Sequence, residues 1–134
     1  MPLQVELVSP ERILYSGEAD MVIARTVGGG DIAFLPGHAP FVGALEIATV
    51  TIRSAGGDEL VAVHGGFAEV SNDTVTILSD VAELSSQIDV ERARQAKERA
   101  ETKAEHNHDA EAEAAARRAH VRLAAAGGVA AAGH

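Results

Sequence analysis

Gly30-Asp31-Ile32-Ala33-Phe34-Leu35-Pro36-Gly37-His38-Ala39-Pro40-Phe41 is the stretch whose reading decides the rest. An apolar run of strand character, Ile32 to Leu35, stops at Pro36-Gly37. There one residue fixes φ and the next frees it, which is the chemistry of a tight turn. His38 falls at the tip, and Pro40 keeps Ala39 extended so that the chain re-enters an apolar strand at Phe41. The segment holds no nucleophile, base or phosphate cradle. It presents polar groups outward on a stiff loop, as a docking surface does.

Strand signals continue on both sides. Leu3, Val5 and Leu7 alternate with Gln4, Glu6 and Val8 until Ser9-Pro10 ends the run. Ile13 to Tyr15 form a short strand before a Ser16-Gly17 turn, and Ala19, Met21 and Ile23 alternate with Asp20, Val22 and Ala24. Gly28-Gly29-Gly30 has the look of a phosphate loop, but no Lys-Ser/Thr follows and no helical pattern opens, so it reads as a turn bringing Asp31 to the surface. Ala48, Val50 and Ile52 alternate with Thr49, Thr51 and Arg53. A hairpin loop at Ser54-Ala55-Gly56-Gly57-Asp58 returns the chain through Leu60 to Val63. Gly65-Gly66 bends it again, and Phe67 and Val70 lead into a hairpin at Ser71-Asn72-Asp73. Thr74 to Leu78 is the most β-prone run, and Val81 and Leu84 close the series. This is the pattern of an antiparallel β-sandwich of about ten strands. No crossover helix fits before residue 87, which excludes a parallel βαβ architecture.

The 134 residues suit one compact domain, 1–86, with an appendage, 87–134. There is no cysteine, hence no disulfide and no thiolate metal site. No apolar run approaches the ~18 residues of a membrane span, and Glu6 comes too early for a secretory signal, so a soluble cytoplasmic protein is expected. The net charge of −9 is unevenly placed: residues 1–86 hold twelve acids and three bases, residues 87–134 eight of each. An acidic front half repels nucleic acid and suits a partner with a basic patch, or simply solubility. Tyr15, Phe34, Phe41 and Phe67 are the only aromatics, so the core is aliphatic and a base-stacking surface is not expected.

From Ser85 the composition changes. Asp89 is a good N-cap with Glu91 in the first turn. Ala93, Ala96, Ala100 and Ala104 then mark a narrow stripe on a charged helix. His106-Asn107-His108-Asp109 interrupts it. These are read as polar turn residues, with no metal site, because no second pair of ligands stands at useful spacing. A second helix from about Ala110 carries Ala112, Ala115, Ala116, Ala119, Leu123 and Ala126 on one face and stops at Gly127-Gly128, leaving a frayed Ala/Gly tail. Each alanine contact buries about one methyl, ~0.8 kcal/mol, where leucine would give ~1.5–3. Ordering a residue costs ~1–2 kcal/mol. The two-helix hairpin should therefore be weakly held and movable. Ile88-Asp89-x-x-Arg92-Ala93 with Arg118 and Arg122, two arginines one turn apart, admits two readings: a cap with solvated cations, or a grip on a polyphosphate.

Leu35-Pro36-Gly37-His38-Ala39-Pro40-Phe41, preceded by Gly30-Asp31-Ile32, resembles the signature loop of the epsilon subunit of rotary ATP synthases. Gly65-Gly66-Phe67-Ala68-Glu69-Val70 is similar to that family's other signature, and the likeness runs over nearly the whole chain. It implies a non-catalytic rotor subunit, peripheral to the cytoplasmic face of a bacterial membrane. Its sandwich would bind the gamma subunit and the c-ring through Gly30, Asp31, Pro36, Gly37, His38, Ala39 and Pro40. Its hairpin would regulate ATP hydrolysis by extending toward the alpha and beta catalytic subunits. The resemblance also implies regulatory ATP binding, with no other cofactor, by Glu83, Ile88, Asp89, Arg92, Ala93, Arg118 and Arg122. The alternative is a free-standing β-sandwich nucleotide-binding module without a rotor partner.

Overall fold

Alternation in the first strand sets the core. In β1 (Leu3–Val8), Leu3, Val5 and Leu7 are buried, and Gln4, Glu6 and Val8 face the other way. β1 pairs antiparallel with β2 (Ile13–Ala19) on one side. On the other it runs parallel to β7 (Thr74–Leu78), from Gln4 opposite Thr74 to Val8 opposite Leu78. That parallel pair departs from the all-antiparallel expectation. It joins strands distant in sequence, so no local pattern announces it. The computed structural model describes residues 2–107 and 110–127, with side chains described except at 103–107 and 127. The His108-Asp109 turn, the side chain of His106 and the tail beyond Gly127 lie outside the described residues.

β2 runs straight through Ser16-Gly17, which sit opposite Glu6 and Val5, so the expected turn is a strand. A Cβ on Gly17 would lie 3.1 Å from the Tyr15 hydroxyl, a tight contact that the ring would have to shift slightly to relieve. The chain leaves β2 at Asp20 instead, whose N–H donates to the Arg53 carbonyl at 2.7 Å. β3 (Met21–Thr26) then buries Val22, Ala24 and Thr26, and β4 (Gly30–Phe34) returns antiparallel to it.

β5 (Phe41–Ser54) and β6 (Gly57–Ser71) form one long hairpin. The first half of β6 pairs with β8 (Ala82–Leu84), the second with β7. The change falls at Gly65 and Gly66, whose φ values of 87° and 127° suit glycine. A Cβ on Gly66 would lie 2.0 Å from the Leu78 carbonyl oxygen, so backbone passes where a side chain would stand. Two long strands thus serve two pairings, and eight strands do the work of about ten.

The sheet order is β2-β1-β7-β6-β5-β3-β4, with β8 beside β6. Leu3, Val5 and Leu7 of β1 nevertheless share one core cluster with Val22 and Ala24 of β3 and Phe34 of β4. Strands far apart in the order meet only if the sheet folds over on itself, which makes the sandwich.

A single 3-10 turn (Ser85–Gln87) leads to α1 (Val90–Asn107) and α2 (Ala110–Gly127). Asp89 caps α1, its Oδ1 accepting the Arg92 N–H at 3.0 Å. Ala93, Ala100, Ala112 and Ala119 are buried. α2 also packs on β5 and β6, where Val121 and Ala125 cluster with Ala62 and Ile88. It is covered on two faces because the pair Val121 and Ala125, four residues apart, points away from the alanine stripe.

Candidate functional site

Two regions collect the residues singled out above. The first is the loop after β4. Pro36 and Gly37 (φ 84°) make a turn closed by the His38 N–H donating to the Leu35 carbonyl at 3.0 Å. The Gly37 N–H donates to Asp73 Oδ1 at 2.7 Å, tying the loop to the β6–β7 hairpin. There Asn72 and Asp73 both take positive φ, 51° and 58°, as a two-residue hairpin turn requires. His38 does not stand free at the tip. Its ring is half-buried, edge-on to Phe34 at 5.1 Å, with Nδ1 2.7 Å from the Ala39 carbonyl oxygen. Phe34 also meets Phe41 at 5.4 Å. These rings brace the loop from within, and Leu35, Pro36, Gly37, Ala39 and Pro40 form its exposed skin. Asp31 is exposed beside Gly30 and paired with Arg25 at 2.9 Å. With both partners about half exposed, that pair adds little stability and leaves the carboxylate accessible.

Replacing Asp73 with alanine should free the Gly37 amide and cost about 1 kcal/mol. Asp73→Asn keeps both the acceptor and the tolerance for positive φ, and should be close to neutral. Amide exchange at Gly37 with thermal melting checks this. Equal behaviour of the two variants would show that the tie does not hold the loop.

Sequence reasoning missed an apolar strip on the outer face of β5, β6 and β7. Phe67 sits opposite Ala44 and Leu78, and Val42 sits opposite Glu69. Val42, Phe67 and Leu78 are all exposed, Val42 by 72 %. The signal was legible: in Phe67-Ala68-Glu69-Val70 the ring falls in register with Glu69 and not with the buried Ala68 and Val70.

The second region is the joint between sandwich and hairpin. Arg122 Nε on α2 donates to Glu83 Oε1 on β8 at 2.5 Å. Both side chains are under a third exposed. Burial pushes the Glu83 carboxyl up, but the hydrogen bonds from Arg122 and His64 and the Arg122 charge prevail and hold it below the ordinary range. Arg118, on the same helix face, pairs with Glu111 at 2.6 Å. Ile88 and Ala93 are buried at the joint, Asp89 is engaged as the cap, and Arg92 is exposed. The structure therefore gathers Glu83, Ile88, Ala93 and Arg122, with Arg92 exposed in the first turn of α1. His64, absent from the sequence-based set, completes the joint, with Nε2 3.1 Å from Glu83 Oε1. Its signal was a lone polar ring ending the run Leu60-Val61-Ala62-Val63.

The chain matches the family models for the beta-sandwich domain of the ATP synthase Delta/Epsilon chain over residues 2–85 and for its long alpha-helix domain over residues 86–127. It belongs to the ATP synthase epsilon family. The ATP synthase epsilon chain of Streptomyces griseus is 51 % identical over 124 residues, covering 92 % of this chain and 94 % of that one. A chain in the Euglena gracilis mitochondrial ATP synthase structure of OSCP, F1 and c-ring superposes with a TM-score of 0.70 at 24 % identity, over 99 % of this chain and 82 % of that one. A chain in the central stalk and c-ring structure of the Tetrahymena thermophila enzyme gives 0.54 at 17 %, over 97 % of each. These two likenesses concern the fold. A match to an epsilon chain over so much of the sequence sets aside the free-standing nucleotide-binding module. The chain is an ATP synthase epsilon subunit, and among its described residues no helix is long and apolar enough to cross a membrane.

Proposed function

We propose that this epsilon subunit is a non-catalytic rotor component on the cytoplasmic face of a bacterial membrane. Its sandwich couples the gamma subunit to the c-ring of a proton-translocating ATP synthase, and its hairpin restrains ATP hydrolysis. The braced loop of residues 30–40 and the strip of Val42, Phe67 and Leu78 supply a firm, partly apolar surface with an acidic rim, suited to a partner carrying basic and apolar groups. The two solved relatives both come from assemblies that include a c-ring, which supports the same partners.

The observation that carries the regulatory half is the thinness of the joint. Ala62, Ile88, Ala93, Val121 and Ala125 are its buried apolar contacts, with Ile47, Leu60, Leu123 and Ala126 partly buried against them, and Glu83–Arg122 is its ion pair. A hairpin held this way moves at small energetic cost and can extend toward the alpha and beta subunits. Arg118 and Arg122 each hold a carboxylate on one helix face, and a triphosphate presents the same kind of acceptor with more charge. ATP would engage these arginines in the docked hairpin, with Glu83, Ile88, Asp89, Arg92 and Ala93 completing the site. Binding only the docked hairpin, it would stabilise that state by RT ln(1 + [ATP]/Kd) and withdraw the inhibitory arm when ATP is plentiful.

Titrating the full chain with ATP should raise amide protection of α2, and Arg92→Ala and Arg118→Ala should blunt the response. Unchanged protection at millimolar ATP defeats the sensing role and spares the rotor role. Deleting residues 87–134 should release ATPase restraint in the assembled enzyme while the sandwich still co-purifies with gamma. Loss of assembly on that deletion would overturn the division of labour.

A further inference from the structure

The imidazole of His64 is buried, with 3 % side-chain exposure, at the joint where hairpin meets sandwich. Its Nε2 and the Arg122 Nε converge on one oxygen, Glu83 Oε1. Its Nδ1 is buried and has no hydrogen-bond partner among the described residues. The charged groups facing it are Glu83 from β8 and Arg122 and Arg118 from α2. Ile47, directly opposite on β5, is uncharged. The backbone N–H of His64 is already spent on the Val81 carbonyl.

This geometry suits one protonation state. A neutral ring donates from Nε2 to Glu83 and leaves Nδ1 bare. A second proton on Nδ1 would be a buried donor without an acceptor, on a cation set beside two arginines. Burial is the main force holding the His64 pKa below its ordinary value. The Glu83 hydrogen bond opposes it, and the Arg122 and Arg118 charges reinforce it. We infer that His64, Glu83 and Arg122 form a proton-sensitive latch between sandwich and hairpin, closed while His64 is neutral and opened when Nδ1 takes up a proton from solvent. The latch rests on the proposed mobility of the hairpin, and needs neither nucleotide nor a partner subunit.

The sign follows from what undocking removes. With α2 gone, both arginines and much of the burial leave His64, while Glu83 stays. Its pKa then rises back toward its ordinary value. Docking is therefore at full strength above the ordinary histidine range and weakens as pH falls through it, by up to about tenfold per unit, until the docked pKa is reached. Glu83, whose carboxyl is held low, adds its own loss only below the ordinary carboxylate range. The two windows are separate.

The test is hydrogen exchange on the full-length chain without nucleotide at pH 7.5 and 5.5. It is read as α2 protection factors, which divide out the intrinsic pH dependence of exchange. The native chain should lose about tenfold or more of its α2 protection on acidification, and His64→Gln less than twofold, with Val75 and Ile77 amides steady in both. An equal loss in the two chains, or none in the native chain, overturns the latch and leaves the rotor reading standing. Should His64→Gln fail to fold, the imidazole of His64 is titrated by NMR in the native chain and in Arg122→Gln. Its pKa should rise in the variant, and an unchanged value overturns the proposal.

Discussion

Replacing Gly66 by alanine should lower the melting temperature by about 10 °C or more, a loss of roughly 3–5 kcal/mol. Two penalties act together. At a φ of 127° an L side chain is strained whatever surrounds it. Here the added methyl would also lie 2.0 Å from the Leu78 carbonyl oxygen and 3.1 Å from Ser79 Cα, both backbone, neither able to swing aside. Relief means pulling β6 away from β7 at the point where Phe67 pairs with Leu78. Gly28→Ala is the control: its φ of 76° carries strain, but nothing stands within 4 Å of the added carbon, so the cost should stay near 1 kcal/mol. Similar melting of the two variants would show that strain, and not the close passage of β6 under Leu78, dominates at residue 66.

Arg122→Ala should shift the hairpin about thirtyfold toward the undocked state, roughly 2 kcal/mol. The pair it breaks is under a third exposed on both sides, so the loss exceeds that of a surface ion pair and falls short of a fully buried one. It also leaves the Glu83 carboxylate with His64 alone. Because the rest of the joint is one small cluster of Ala, Val, Ile and Leu side chains, a change of this size bears directly on where the hairpin sits. Arg122→Lys should recover part of the effect, since an ammonium keeps the charge and loses the guanidinium geometry. Amide protection of α2 reads the outcome, and undiminished protection in Arg122→Ala would mean that apolar contacts hold the hairpin by themselves.

Much of the sandwich was legible because its alternation is local. Leu3, Val5 and Leu7, and Ala48, Val50 and Ile52, all point inward as their period of two requires. The hairpins at 54–57 and 71–74 followed from their turn residues. Gly17 misled because glycine marks a turn in most strand patterns, and nothing local reveals that Tyr15 folds its ring over it. The loop after β4 was readable in its turn chemistry. The inward lean of His38 depends on Phe34 and on a carbonyl, which only the packed form brings together. The family resemblance put Glu83 and Arg122 in one expected nucleotide site, and their ion pair with each other appears only in the fold. His64 could not be singled out, because its value lies in an oxygen supplied by β8 and a cation supplied by α2.

The parallel seam between β1 and β7 has a consequence for synthesis. Gln4 finds Thr74 only after the intervening chain has been made, and such distant closures are slow to form. Until then β2 holds β1 from one side only. A nascent or truncated product ending before residue 74 therefore shows a bare backbone edge along Leu3, Val5 and Leu7, the arrangement that recruits a second copy into aggregates.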